Sequence, residues 1–369
     1  MSQAYTPGLT ITPFAVLRKT RKLPLKGEVL VEVGQIVEPQ TLVARAYLPG
    51  IVHIVKAGEI LGVAGEDLEK HILKREGEKV EKDEVIATAT SFFGLSKRTV
   101  RSPIRGTIES ISPITGNISI REEPKPIYIS AYIKGKVVEI LPAEGVVVEA
   151  RGAFLQGIFG VGGERWGHLK VVVDSPEEPI KDINGDMKDC IIVGGSIDGE
   201  NLRKAIDIGV KGVVVGGIYD EVLRDFLGYD IGVAITGQED IPLTLIIMEG
   251  FGTLPLARRT FELLRRFNGF FASINGATQI RAGVIRPEII IPHNEPIQVQ
   301  SESFTNQLVV GAKVRVIREP YFGRLGEVLS LPPEPQILET GAKVRVAEVR
   351  LEEGVKVVIP RANLEIIID

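Results

Sequence analysis

Cys190-Ile191-Ile192-Val193-Gly194-Gly195-Ser196 opens the stretch that decides the fold. Two further apolar runs end in the same way: Val213-Val214-Val215 in Gly216-Gly217, and Leu243-Thr244-Leu245-Ile246-Ile247-Met248 in Glu249-Gly250-Phe251-Gly252. Short β-branched runs bounded by glycine read as strands, and a helical pattern follows each. Helices are expected over 198–208 with Asp198 as N-cap, over 220–227, and over 254–267. This alternation across 188–300 predicts an α/β domain with a mainly parallel sheet.

Open α/β sheets bind ligands beyond the carboxyl ends of their strands, where glycine lets the backbone approach and helix N-termini favour anions. Gly194, Gly195, Ser196, Gly216, Gly217, Gly250 and Gly252 form the candidate cofactor-binding site. Thr236, in the loop Thr236-Gly237-Gln238-Glu239-Asp240, would join them from a neighbouring strand end. The ligand expected there is phosphorylated or nucleotide-like. The competing reading is that these glycines only permit tight strand-to-helix turns, and no Walker or Rossmann spacing accompanies them.

The 369 residues, 44% hydrophobic and 25% charged with formal net charge -4, describe a globular protein of several domains. A single cysteine, Cys190, excludes an intramolecular disulfide or a cysteine cluster and points to a reducing compartment, so a cytoplasmic location is expected. No secretion signal and no apolar run of about 18 residues is present, which argues against a membrane span. His53, His71, His168 and His293 lack metal-ligand spacing, so no metal site is expected. No nucleophile elbow or Cys–His arrangement appears. Glu249 and Asp240 are lone loop carboxylates, as commonly caps as acids or bases, and no catalytic residue is assigned. The polar stretch 272–283 reads either as ligand-facing or as a buried turn network.

From 26 to about 123 the chain is a succession of short alternating strands. Inside it, Gly34-Gln35-Ile36-Val37-Glu38-Pro39-Gln40-Thr41-Leu42-Val43-Ala44 aligns without a gap on Gly77-Glu78-Lys79-Val80-Glu81-Lys82-Asp83-Glu84-Val85-Ile86-Ala87. Each copy is followed by a strand opened by Pro and Gly, Leu48-Pro49-Gly50-Ile51-Val52 and Ser102-Pro103-Ile104-Arg105-Gly106-Thr107-Ile108. This resembles barrel-sandwich hybrid, or lipoyl/biotinyl-like, domains, and is similar to the hybrid modules of bacterial RNA polymerase large subunits and of the C subunit of Rnf electron-transport complexes. A carrier domain of that kind needs a lysine where this chain has Leu95. Lys97 lies nearby without the surround that a modifying ligase reads, so no lipoyl or biotin attachment is expected.

Between the repeat and the α/β segment, 135–187 reads as a β-rich connecting module. Its stretch from Gly157 to His168 is a poor dinucleotide loop, because a strand pattern follows where a helix should open. Close backbone packing or a mobile binding loop fits better, and Arg165 and Trp166 are candidate partner contacts. Arg258, Arg259, Arg265 and Arg266 share nearly one face of the third helix, which suits either an acidic partner or plain solvation.

At the C-terminus, Gly311-Ala312-Lys313-Val314-Arg315-Val316-Ile317-Arg318-Glu319-Pro320-Tyr321-Phe322-Gly323-Arg324-Leu325-Gly326 resembles the KOW motif of transcription-elongation factors and large-subunit ribosomal proteins. The resemblance implies an SH3-like barrel over 301–369, and Gly-Ala-Lys-Val-Arg-Val recurs at 341–346. Across 309–369 nine basic residues balance nine acidic ones, which leaves no electrostatic footprint for nucleic acid. If RNA binds, Arg318, Tyr321, Phe322 and Arg324 are its expected contacts.

The arrangement as a whole resembles a bacterial family with a barrel-sandwich-hybrid region at 1–134 and a C-terminal KOW domain. The expected fold class is multidomain α/β plus all-β. The expected function is a non-catalytic scaffold or assembly protein that docks protein partners, or copies of itself, in a cytoplasmic complex. An enzyme or sensor working at the α/β loops, and RNA binding through the KOW domain, remain the alternatives.

Overall fold

The computed structural model of the chain describes residues 9–90, 97–228, 241–279, 285–294, 308–318, 320–337, 343–352 and 354–367. The loop 236–240, with Thr236 and Asp240, lies outside them, as does Leu95. The protein is a multi-sheet, β-rich α/β structure with an eleven-stranded mixed sheet and a separate C-terminal antiparallel sheet. Four strands of the large sheet run parallel: Glu164–Val171, Cys190–Gly194, Gly212–Ile218 and Thr244–Phe251. Every residue of Gly212–Ile218 is buried, as a strand covered on both faces must be. Val213 and Val215 pack on the face of helices α2 (Gly199–Ile208) and α3 (Asp220–Leu227), whereas Val214 packs on the face of α4 (Arg258–Arg266). The short α1 (Ala57–Leu61) lies far upstream, in the repeat region.

Asp198 caps α2 as expected, accepting a hydrogen bond from the Asn201 N–H at 2.8 Å, and α3 spans 220–227 as expected. The third helix starts four residues later than its pattern suggests. Residues 254–256 instead cross the strand ends, where Leu256 N–H donates to Pro176 O. Residues 164–168 form the first half of a strand, so Arg165 and Trp166 sit in the sheet opposite Ile274 and Ser273. Gly157, Gly160 and Gly162 before them serve close packing, a Cβ on Gly160 meeting Gly276 backbone at 2.8 Å, whereas one on Gly163 would meet nothing within 4 Å.

The sequence repeat is a structural repeat offset by 43 residues, Gly77 matching Gly34. Both glycines have left-handed φ, 93° and 86°. Glu32 N–H donates to Gln35 Oε1 as Arg75 N–H does to Glu78 Oε2. Glu38 N–H donates to Thr41 Oγ1 as Glu81 N–H does to Glu84 Oε2. Leu30 N–H donates to Val43 O as Leu73 N–H does to Ile86 O.

The returning strand corrects the sequence expectation. The counterpart of 102–108 is not 48–52 but 131–137: Ala131 N–H donates to Thr41 O as Ser102 N–H does to Glu84 O, and Val137 N–H to Gln35 O as Ile108 N–H does to Glu78 O. In the outer unit Leu42–Leu48 pairs with Lys125–Ser130. In the inner unit Val85–Thr90 pairs with Lys97–Arg101, and both hairpins break register at the equivalent place. The inner unit is therefore inserted at the tip of the outer unit's hairpin. A local alignment misses this because the insertion separates the two halves of the outer copy by about as many residues as a whole unit.

The inner unit has its own core of Val55, Leu68, Val80, Ile86, Val100, Ile108, Ile118 and Ile120, distinct from the outer core around Val43, Ile133, Val137 and Val148. Among the described residues none of its elements packs extensively on one outside it, so it stands on the ribbon of Leu42–Leu48 and Lys125–Ser130 as an arm. A piece comprising 49–124 is expected to fold alone with a cooperative thermal transition. The complementary chain, with 49–124 replaced by Asn-Gly, is expected to keep the remaining fold, because a two-residue turn closes such a ribbon. Circular dichroism of both pieces checks this.

The C-terminal sheet is ordered Lys356–Pro360, Val346–Leu351, Leu325–Ser330, Lys313–Val316, Leu364–Ile366 around Val314, Val316, Val328, Val349 and Ile359. The two Gly-Ala-Lys-Val-Arg-Val copies have different surroundings. Arg315 of the first is 3% exposed, whereas Arg345 of the second is exposed.

Candidate functional site

At the carboxyl ends of the parallel strands, the space beside Gly194, Gly195, Gly216 and Gly217 holds the chain itself, whereas a Cβ on Gly252 would meet nothing within 4 Å. A Cβ on Gly194 would meet Ile180 at 2.4 Å, and one on Gly195 would meet Pro176 O at 2.5 Å. A Cβ on Gly216 would meet Leu256 N at 2.4 Å, and one on Gly217 would meet Gly252 O at 2.4 Å. Their N–H groups are engaged as well: Gly195 donates to Glu178 O, Gly216 and Gly217 to Gly195 O, and Gly252 to Ile218 O. Ser196 accepts from Ile180 N–H through its carbonyl. The first turns of α2 and α3 carry Glu200, and Asp220 with Glu221, which disfavour an anion. An alanine at Gly216 must displace backbone on the 254–256 segment. Gly216→Ala is expected to cost about 1–3 kcal/mol in urea unfolding, and an unchanged midpoint would show that the segment yields freely.

The C-terminal sheet closes this edge. Gly323 O lies 2.9 Å from the Cβ direction of Gly250, Phe322 packs on Phe251 with ring centroids 6.4 Å apart, and Phe251 packs on Phe159 at 5.6 Å. Ile317 joins the α2/α3 core. Of the expected RNA contacts, Phe322 is thus used inside the protein, Tyr321 and Arg324 are exposed, and Arg318 is half-buried beside Arg286. Arg165 reaches inward and donates to Ile241 O.

The centre of the junction is ionic. Arg315 Nη2 donates to Glu249 Oε2 at 2.7 Å, and Nη1 donates to Glu365 Oε2 at 3.2 Å. Glu249 stands at the end of the parallel strand Thr244–Phe251, and its second oxygen accepts from Ala257 N–H at 3.1 Å, capping α4. The carboxylate considered as an acid or base is thus a cap and an ion-pair partner. Burial lowers the affinity of nearby Arg286 for its proton, against the opposing pull of Glu365. Beside this triad lies a cavity of about 80 Å³, lined in part by Glu249, Arg259, Thr260, Arg315 and Glu365. Replacing Arg315 with Met would strand the buried Glu365 and leave the half-buried Glu249 only its bond from Ala257 N–H. A loss of about 3–5 kcal/mol in urea unfolding is expected, against under about 0.5 kcal/mol for Arg345→Met at the exposed twin position; equal effects would refute the structural role.

A second charged cluster gave no sequence signal, because its members come from segments far apart. Arg21 grips Glu164 with both terminal nitrogens at 2.6 Å and donates from Nε to Ser130 O at 2.8 Å. Lys19 pairs with Glu288 at 2.5 Å, and Tyr132 OH donates to the other Glu288 oxygen at 3.2 Å. Tyr132 is buried, has a left-handed φ of 66°, and lies under the Arg21 guanidinium. Burial, then the Glu288 and Glu164 charges, push its phenol pKa up. The folded state therefore keeps this proton above pH of about 10, where an unfolded tyrosine ionises. Stability is expected to fall as pH rises past that value, and Tyr132→Phe to flatten that part of the curve; an identical alkaline profile for both proteins would exclude this origin.

Among the described residues no three histidine, cysteine, aspartate or glutamate side chains form a metal-binding group, and no helix is long and apolar enough to cross a membrane. His53 pairs with Glu122 at 2.9 Å, His71 and His168 bond backbone carbonyls, and His293 bonds Pro13 O. Cys190 is half-buried, and burial raises its thiol pKa, which keeps it in the unreactive form. No protein-family model matches the chain, and no curated protein matches its sequence.

Outside the strand ends, the conspicuous surface belongs to the arm and its ribbon. Tyr47, Leu48, Ile51, Val52, Ile54 and Tyr128 are exposed there, with Ile51 64% and Ile54 66% accessible. On the ribbon Tyr128 lies opposite Arg45, and Tyr47 opposite Pro126. Arg45 is held by Glu28 at 2.8 Å, leaving a neutral aromatic face.

Proposed function

We propose that the protein is a non-catalytic docking scaffold that presents its inserted arm to a protein partner in a cytoplasmic assembly. The observation that carries this reading is the concentration of exposed apolar residues within eight positions of the chain at the root of the arm, Tyr47, Leu48, Ile51, Val52 and Ile54, with Tyr128 on the paired strand. Large aromatic and aliphatic side chains free of net charge are what the centre of a protein interface uses, whereas nucleic acid needs a surplus of cations. The engaged glycine loops of the α/β part support the same reading. The paired repeat units, with their matching hairpins and returning strands, are barrel-sandwich hybrids in this account, and the C-terminal sheet is a KOW-type SH3-like barrel. That barrel serves internal docking, since Ile317 and Phe322 are spent on the α/β part.

The reading is tested by site-specific photo-crosslinking in the cells that make the protein. A benzophenone side chain at Tyr47 or Tyr128 is expected to give the same discrete protein adduct. The same group at Tyr219, exposed but remote from the arm in sequence and sheet, should give none. Absence of adducts at Tyr47 and Tyr128 would contradict the proposal.

A further inference from the structure

The strand Val52–Val55 ends the four-stranded sheet of the inner unit, and among the described residues it pairs only with Ile118–Glu122. Glu122 N–H donates to Ile51 O at 3.0 Å, which sets the phase of that antiparallel ladder. Ile51, His53 and Val55 therefore bond with Glu122, Ile120 and Ile118, and the N–H and C=O groups of Val52 and Ile54 point the other way. Among the described residues nothing meets them.

Proteins guard unpaired strand edges with charge, proline or shortness. Other edges of this molecule are guarded so. Ile11–Lys22 carries Arg18, Lys19, Arg21 and Lys22; Lys125–Ser130 opens with Lys-Pro; Lys79–Val80, the opposite edge of the same sheet, is two residues long and begins with lysine. Val52-His53-Ile54-Val55 has no lysine, arginine, carboxylate or proline, and its ladder has no bulge. Val52 and Ile54, whose backbone groups are free, also expose their side chains, by 37% and 66%. An apolar edge without guards invites another strand.

The edge is complementary to itself. About a two-fold axis at His53, a second Val52–Val55 strand runs antiparallel, and each Val52 meets Ile54 of the second copy. Each such pair exchanges both of its backbone bonds and sets one β-branched side chain against another. No like charges meet, because the facing residues are apolar and each His53 is turned onto its own Glu122 at 2.9 Å. A contact of this isologous kind closes as a dimer, the commonest symmetry of soluble assemblies. We propose that the occupant of the arm's docking surface is a second copy of this chain, joined edge to edge through Val52–Val55 so that the two inner sheets become one. The inference rests on the reading of the arm as a docking surface and names what covers it.

Sedimentation velocity and native mass spectrometry of the purified full chain, over a concentration series, test this. A reversible dimer is expected for the wild type. Ile54→Pro removes an N–H that the inner ladder does not use, as prolines on natural edge strands do. It is expected to weaken the dimer at least about tenfold, since two bonds are lost per dimer. Ile54→Val keeps the backbone and most of the side chain and is expected to dimerise like the wild type. A second variant does not depend on how proline is tolerated. His53→Cys in a Cys190→Ser background is expected to form a disulfide-linked dimer with oxidised glutathione, because opposed residues that exchange no backbone bonds bring their Cβ atoms closest. A dimer indifferent to Ile54→Pro, with no disulfide at position 53, would overturn the strand pairing while leaving the docking surface in place. A wild-type chain that stays monomeric throughout would overturn the inference, and the adduct at Tyr47 then decides the wider reading: a different protein keeps it, and no adduct removes it.

Discussion

Arg315 is buried between two carboxylates, one from each part of the molecule it joins. Taking three charges out of water costs several kcal/mol per ion, and only close hydrogen-bonded geometry offsets it. The cost is met here because Glu249 is oriented by a second task, capping α4, and Glu365 is buried on the strand next to Arg315. With that clamp in place, Phe322 and Gly323 settle on Phe251 and Gly250, and the strand ends of the parallel sheet are closed. The twin motif at 341–346 shows how much depends on location. Arg345 holds the place of Arg315 in the sequence pattern, yet it is exposed.

The other organising fact is the insertion of one repeat unit into the hairpin of its twin. A β-hairpin tip is a tolerant place for an insertion, since strand pairing on both sides fixes the entry and exit points. The outer unit merges with the large sheet through Gly135–Leu141 and Gly145–Gln156, while among the described residues the inner unit packs extensively only on itself. This division gives the molecule an anchored half and a presented half, and the exposed apolar residues gather where the two meet.

Local patterns were legible in the sequence. Period-two runs, the Asp198 cap, the glycine stops and the repeated Gly-x-x-Val-Glu segment all describe interactions within about a dozen residues, and the structure contains them. What lay beyond reach was pairing over distance. Arg21 meets Glu164, Tyr132 meets Glu288, and Arg315 meets Glu249, each between residues that sequence spacing alone cannot match. The glycine loops show the same limit from the other side. A glycine announces that backbone approaches closely, and at Gly194, Gly195, Gly216 and Gly217 the approaching group is the protein's own chain.

The proposed role of this molecule is to present a docking surface to another protein. Native mass spectrometry of the chain, purified gently from the cells that make it, tests that most directly. A stoichiometric complex is expected, whose added mass is protein and which dissociates when Ile51 and Ile54 are replaced by Asp. A chain that flies alone, or a complex indifferent to those two replacements, would contradict it.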